Sequence, residues 1–206
     1  MPDFRIEREI LKKGFKAVVG LDEVGRGALF GPVVAAAVLL PVPLIQKKIS
    51  GWLREIEDSK LLSPTKRIEL AKLIAANAET VGVGLASHAE VDEKNVYWAS
   101  LEAMKRAFAS MSRKPDFLLV DGFNLNDVNY PQMSVPKGDQ KSISIAAASI
   151  VAKVFRDEMI LRIDPLFAGY SLAKNKGYGT KEHYRALHDL GPTALHRRSF
   201  NLEGKR

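Results

Sequence analysis

Residues 17–31 read AVVGLDEVGRGALFG, and this pattern decides how the rest of the chain is arranged. Apolar and small residues from Ala17 lead into two adjacent carboxylates, Asp22 and Glu23, and Gly25, Arg26 and Gly27 follow at once. A short β-rich apolar run ending in polar residues reads as a buried strand, over about residues 16–21, whose tip carries chemistry. Neighbouring carboxylates there repel each other and lose hydration, which costs several kcal/mol unless a cation compensates. The glycines let the backbone approach a ligand closely, and the arginine between them suits phosphate. A tight turn with solvated acids is the plainer reading of the same residues.

Working outward, GPVVAAAVLL (31–40) is a continuous apolar run, read as a second strand buried on both faces and ended by Pro41 and Pro43. Upstream, residues 1–13 form a short amphipathic pattern with Phe4, Ile6, Ile10 and Leu11 on one side. Downstream, Ser63-Pro64 opens a helix to about Asn77, with Ile68, Leu70, Ala71 and Ile74 inward. Residues 80–86 alternate as a third strand. Ser87 and Glu90 match a capping box that opens a long helix with Tyr97, Leu101, Met104 and Phe108 on one stripe. DFLLV (116–120) is a fourth strand closed by Asp121-Gly122, residues 124–131 a loop, and 132–136 a short fifth strand leading to Lys137-Gly138-Asp139. A long buried helix spans about 142–161, with Ile143, Ala147, Ile150, Val151 and Val154 inward. The basic glycine loop KNKGYGT (174–180), a helix over 180–190 and the tail HRRSF (196–200) complete the chain. A hairpin-like pair of strands followed by strands alternating with helices predicts an α/β architecture, a mixed sheet with helices on its faces.

The 206 residues suffice for one domain with a sizeable core, and 46% hydrophobic with 27% charged residues is ordinary for a soluble globular chain. No apolar run approaches the ~20 residues that span a bilayer, and the charged N-terminus lacks a signal peptide's apolar centre. Without cysteine there are no disulfides or thiolate metal sites, which suits the cytoplasm. Thirty-one Lys and Arg against 24 Asp and Glu give +7, compatible with a polyanionic partner such as nucleic acid. A basic chain that gathers acids at one place has a reason to do so.

Three acidic points stand at strand ends or helix starts: Asp22-Glu23, Asp121 and Asp139. Asp121-Gly122 is also good turn chemistry, and Asp139 can cap the helix beginning near Ser142. Together they form the kind of set that holds Mg²⁺ or Mn²⁺ through oxygen at one edge of a sheet. Asp22 and Glu23 are consecutive, so a straight strand sends them to opposite faces and a bend is needed to unite them. Lys141, Lys153 and Arg156 read as solvated helix faces, and Asp157 as a salt-bridging acid. His183 and His188, five apart, do not share the helical face a zinc site needs.

GLDEVGRG, DSKLLS, LVDG, KGDQKSISIAAASIVAKVFRD, KGYGT and HRRSF occur in the order found in bacterial type 2 ribonuclease H, ribonuclease HII, and the resemblance spans about residues 20–200. It implies a ribonuclease H-like fold, a five-stranded mixed sheet flanked by helices, as one catalytic domain over 1–206 with a C-terminal helix and basic tail from about 180. It implies cleavage of the RNA strand of RNA–DNA hybrids and of duplex DNA 5′ of single embedded ribonucleotides, leaving 5′-phosphate and 3′-hydroxyl ends. Such an enzyme serves ribonucleotide removal and primer processing as a cytoplasmic monomer without a membrane partner. Carried over motif by motif, Asp22, Glu23, Asp121 and Asp139 are the catalytic carboxylates holding two divalent ions, Mg²⁺ or Mn²⁺, with Asp22 the best bridge between them. Gly25, Arg26 and Gly27 are implied to read the 2′-hydroxyl through backbone groups, Ser59 and Lys60 to hold phosphate, and Tyr178 to stack on the sugar after the ribonucleotide. The tail His196-Arg197-Arg198 is placed to touch phosphates. The chain departs from the family pattern at Ala28, usually Pro, at Phe30, usually small, and at Asn175, usually His. Another nuclease or resolvase of the same fold, or a non-catalytic basic nucleic-acid module, are the alternatives; bare carboxylates repelling phosphate argue against the module.

Overall fold

A computed structural model describes residues 1–204; the last two residues of the expected basic tail lie outside the described residues. Five strands form one sheet: β1 (Val18–Val24), β2 (Val33–Leu39), β3 (Thr80–Ala86), β4 (Phe117–Asp121) and β5 (Gln132–Val135). Their order is β3-β2-β1-β4-β5, with β1, β2 and β3 successively antiparallel and β4 and β5 running parallel to β1. The strand that carries Asp22 and Glu23 therefore lies in the middle of the sheet, where both backbone edges are satisfied.

All seven residues of β2 are buried, as its unbroken apolar run requires, because helices cover both faces. On one face α5 (Val96–Ala109) packs Leu101 and Met104 against Val19, Leu21, Ala35 and Val120. On the other, α3 (Pro64–Asn77) and α6 (Ile143–Ile163) pack Leu70, Ile74, Ala147 and Ile150 against Ala36 and Val38. The small residues of α6 let it ride close to β1. A Cβ on Gly20 would overlap the backbone carbonyl of Ser144. Around this frame stand α1 (Arg5–Lys12), α2 (Val42–Gln46), α4 (His88–Lys94), α7 (Leu172–Asn175) and α8 (Lys181–Leu190). None of the described helices is long and apolar enough to cross a membrane.

Local expectations fail where a polar group overrides periodicity. β1 runs on through Val24, since Asp22, Glu23 and Val24 pair with Ala36, Ala35 and Val34 of β2. The capping box is present: Ser87 Oγ accepts from Glu90 N at 3.2 Å, and Ser87 N donates to Glu90 Oε2 at 2.8 Å. The helix it opens is not continuous, because Asn95 at φ +82° breaks it and caps the next one through Trp98 N at 3.0 Å. Tyr97 then falls in the first turn of α5 and is exposed rather than inward. In α3, Ile68 is exposed and Arg67 is buried in its stead, its guanidinium donating to the carbonyls of Ser59 and Leu62, each at 2.8 Å.

Gly20→Ala is expected to cost roughly 1–3 kcal/mol or more, as overpacking against backbone does. Gly27→Ala meets nothing within 4 Å and is expected to be near neutral. Urea midpoints of the two variants against wild type check the contrast.

Candidate active site

The register of β1 and β4 builds the acidic end of the sheet. Their last pair is Leu21 with Val120, and the next residue on each strand is an aspartate, Asp22 and Asp121. Beyond that pair β4 no longer pairs with β1, although β2 follows it through Val24, and on the side β4 leaves open the longer side chain of Glu23 also reaches the group. One carboxylate oxygen from each of Asp22, Glu23 and Asp121 lies within 4.8 Å of the others. The neighbouring strand's early end does the work expected of a bend in β1.

Burial and mutual repulsion set the electrostatics. The Asp22 carboxyl is held well above the usual carboxylate range, first by burial and then by the charges of Glu23 and Asp121. Glu23 is raised by burial, opposed by Arg26, whose Nη1 donates to Glu23 Oε1 at 3.1 Å. Glu23 Oε2 is buried without a hydrogen-bond partner. Asp121 is raised by burial against an opposing hydrogen bond from Gly138 N to its Oδ1 at 2.6 Å. Such a cluster lacks one positive partner at its centre.

These groups open into a cavity of about 600 Å³ whose lining includes every site residue expected from the sequence: Asp22, Glu23, Gly25, Arg26, Gly27, Ser59, Lys60, Asp121, Asp139 and Tyr178. Asp139 stands on this wall but outside the tight group of three; burial, Asp58 and Asp121 raise it, in that order. Ser59 is buried with its hydroxyl 3.0 Å from that of Ser149, whereas Lys60 is exposed. Tyr178 is half-buried, with Lys153 Nζ and Arg156 Cζ each 5.4 Å from its ring centre. Asp157 does pair with cations, at 2.8 Å from Lys153 Nζ and 3.5 Å from Arg67 Nη1.

A buried polar lobe behind Gly25–Gly31 and Tyr178 was not foreseen. Arg156, expected on a solvated face, is fully buried and donates to the carbonyls of Phe30, Pro32 and Lys176 at 2.9–3.1 Å. Arg197, expected in a phosphate-touching tail, is also fully buried and donates to the carbonyls of Gly31 and Arg26 at 3.0 and 2.9 Å. Burial, then the charge of Arg156, lowers Arg197 to about 10. At Gly25, φ is +90° and a Cβ would strike the Arg156 guanidinium, so glycine is required twice over.

His196 is buried too. Thr193 N donates to its Nδ1 at 2.9 Å, so the proton sits on Nε2 and points at His183 Nε2, 3.0 Å away. His183 must then carry its proton on Nδ1, which donates to the Tyr178 carbonyl at 3.0 Å. These bonds fit two neutral rings; burial first, then the repulsion that a protonated His183 would exert, and then the charge of Arg198 take His196 down to about 4. Two departures from the family pattern belong to this lobe. The Phe30 ring meets Phe167 and His196 edge-on at 5.1 and 5.0 Å. The Asn175 amide donates to Tyr170 O and accepts from Gly177 N, both at 2.7 Å. No local pattern signals either arginine, because the carbonyls of residues 26–32 that they take lie 124 to 171 residues away in sequence.

A family model described as ribonuclease HII matches residues 19–203. The chain is 47% identical over 194 residues to ribonuclease HII of Geobacter metallireducens, covering 94% of this chain and 88% of that protein. It is 46% identical over 206 residues to ribonuclease HII of Alkaliphilus metalliredigens, covering 97% of each. Among solved structures, it is similar to ribonuclease H2 from Pyrococcus horikoshii OT3, with TM-score 0.72 and 25% identity over 91% of this chain and 95% of that one.

The clustering makes a sign-definite prediction for the protein in EDTA. Asp22 binds its proton more readily folded than unfolded, so it destabilises the fold above its raised native value, and the penalty fades as pH falls through that value. Asp22→Asn is expected to melt a few degrees above wild type at pH 8, at about 2–4 °C per kcal/mol for a chain this size. The gap narrows on acidification. Melts showing no gain at any pH contradict the clustering.

Proposed function

The chain belongs to the ribonuclease HII family, endoribonucleases that hydrolyse the RNA strand of RNA–DNA hybrids, and from that premise we propose that Asp22, Glu23, Asp121 and Asp139 hold two divalent ions, Mg²⁺ or Mn²⁺, at the phosphate to be cut. The observation that carries this is the convergence of three carboxylates, one of which, Glu23, keeps a buried oxygen without a hydrogen-bond partner. An all-carboxylate donor set of this kind fits hard, oxygen-seeking cations. When bound, such ions supply an acidified water and a counter-charge for the departing 3′-oxygen.

The protein's own groups do the rest. Asp22 faces both of its acidic neighbours and is suited to bridge the two ions. Arg26 fixes one oxygen of Glu23 and leaves the other free; the Gly138 amide does the same for Asp121. The backbone of Gly25, Arg26 and Gly27 reads the 2′-hydroxyl, the group that distinguishes RNA from DNA at a site. With Gly25 against Arg156 and Gly27 open on the cavity side, that backbone presents itself without a side chain in the way. Lys60, with Ser59 behind it, receives phosphate. Tyr178 stacks on the sugar that follows, its main chain tied by His183 and by Ala28 across a β-bridge.

One ribonucleotide in duplex DNA satisfies these contacts, and the cut falls 5′ of it, the polarity that the family resemblance implies, leaving 3′-hydroxyl and 5′-phosphate ends. This serves ribonucleotide removal and primer processing. The enzyme acts as a monomer with a single catalytic domain, as the family resemblance implies, and a cysteine-free chain suits the cytoplasm.

Asp22→Asn and Asp121→Asn are expected to abolish cleavage while duplex binding persists; near-wild-type rates in saturating Mg²⁺ would refute the assignment. Tyr178→Ala is expected to slow cutting at a single ribonucleotide by roughly 5- to 150-fold, taking about 1–3 kcal/mol for a stacking contact. Long hybrids, which offer many registers, should lose less. Side-by-side assays of an all-DNA duplex, a single-ribonucleotide duplex and a hybrid decide this.

A further inference from the structure

Two exposed aromatic rings stand just beyond Arg26, which lines the acidic cavity. Three aromatic side chains are exposed among the described residues, and two of them, Tyr97 and Phe123, meet edge to face with ring centres 5.0 Å apart. Phe123 follows Asp121 by two residues, and its amide donates to the Asp121 carbonyl at 2.8 Å. Arg26 places its guanidinium carbon 5.6 Å from the Phe123 ring centre while bonding Glu23 with Nη1. A continuous path therefore leads from the acids through Arg26 to Phe123 and Tyr97.

No buried contact accounts for this placement. Both rings are about 40% exposed, and the break at Asn95 starts α5 where Tyr97 faces out instead of joining Leu101 and Met104 in the core. Aromatic rings left in water beside a guanidinium have the chemistry that receives nucleotides: an apolar plate for a sugar or base and a fork for the adjoining phosphate. The excess of +7 and the continuity with the cavity favour a nucleic-acid occupant over a protein one.

We propose that Phe123 and Tyr97, flanked by Arg26, form a second sugar-binding plate that holds the duplex one step away from the nucleotide at the acids. This rests on the reading of the cavity as the place of cleavage. Phe123 lies on the loop after β4, apart in sequence and element from Tyr178, so the two plates grip the duplex independently.

The test is the affinity for a fluorescent DNA duplex with one ribonucleotide, measured by anisotropy in EDTA so that nothing is cut. Phe123→Ala is expected to raise Kd by about 5- to 10-fold, the low end for an aromatic–nucleotide contact, and Tyr97→Ala by less. Phe123→Trp should restore tight binding, and in cleavage assays the Phe123→Ala loss should appear in KM. Trimming the duplex until it no longer reaches the plate should cost wild type the same factor and cost Phe123→Ala nothing further. Unchanged Kd in Phe123→Ala overturns the proposal and leaves the rings to another kind of partner. A loss confined to kcat also overturns it, since Phe123 would then act only by placing Asp121. Failure of the wild type to cut the ribonucleotide duplex refutes the reading of the cavity instead, and the affinity comparison still decides the plate.

Discussion

Three like charges crowded at the end of two parallel strands are the constraint on which the rest of the structure depends. Asp22 and Asp121 are neighbours because β1 and β4 run parallel in a fixed register, and Glu23 joins them because the pairing stops there. Keeping acids at that spot costs stability, and the surrounding residues limit the cost without cancelling it. Arg26 sits on Glu23 from the rim, Gly138 offers an amide to Asp121, and Lys60 and Lys141 act from farther off. None of these enters the centre. An arrangement that moderates repulsion at its edge and leaves it at its middle is prepared for a cation that comes from outside.

The opposite tactic governs the lobe behind the glycine turn. Arg156 and Arg197 are buried cations that form no ion pair among the described residues; all three nitrogens of the Arg156 guanidinium and two of Arg197 donate to backbone carbonyls, and Arg197 Nη2 is left without a partner. Five such bonds, with the two neutral imidazoles holding Tyr178, join the loop from Arg26 to Pro32 to the loop around Lys176. Loops are ordinarily the mobile parts of a fold. Here the two loops for which sugar recognition is proposed are tied to each other and, through α6, to the strand that carries the acids. A 2′-hydroxyl can be read beside a scissile phosphate only if the reading groups keep a fixed distance from the acids.

Strand positions were legible because β2 is an unbroken apolar run and β4 a short one closed by Asp-Gly, and both patterns depend on burial alone. The acids and the cavity-lining motifs were legible from residue type at element ends and from the family resemblance. Arg156 and Arg197 were misread because charge on a helix or tail defaults to solvent; only the fold shows that glycine-rich loops present carbonyls that need donors. Arg67 misled in the same way, its guanidinium claimed by Ser59 and Leu62 while Ile68 turned outward. Tyr97 was misplaced because Asn95 breaks the helix through a positive φ, a local choice that apolar periodicity does not report. Asp139 was grouped with the other acids by motif, and the structure sets it on the wall, a step back from the three.

The most direct test of the account is where a divalent ion binds. Crystals of the protein grown with Mn²⁺, measured near the manganese absorption edge, should show an anomalous peak within coordination distance of Asp22, Glu23 and Asp121, and none there in Asp22→Asn. A peak elsewhere, or an empty cluster in crystals that hold Mn²⁺ at other positions, would contradict the claim that these carboxylates are gathered to receive metal.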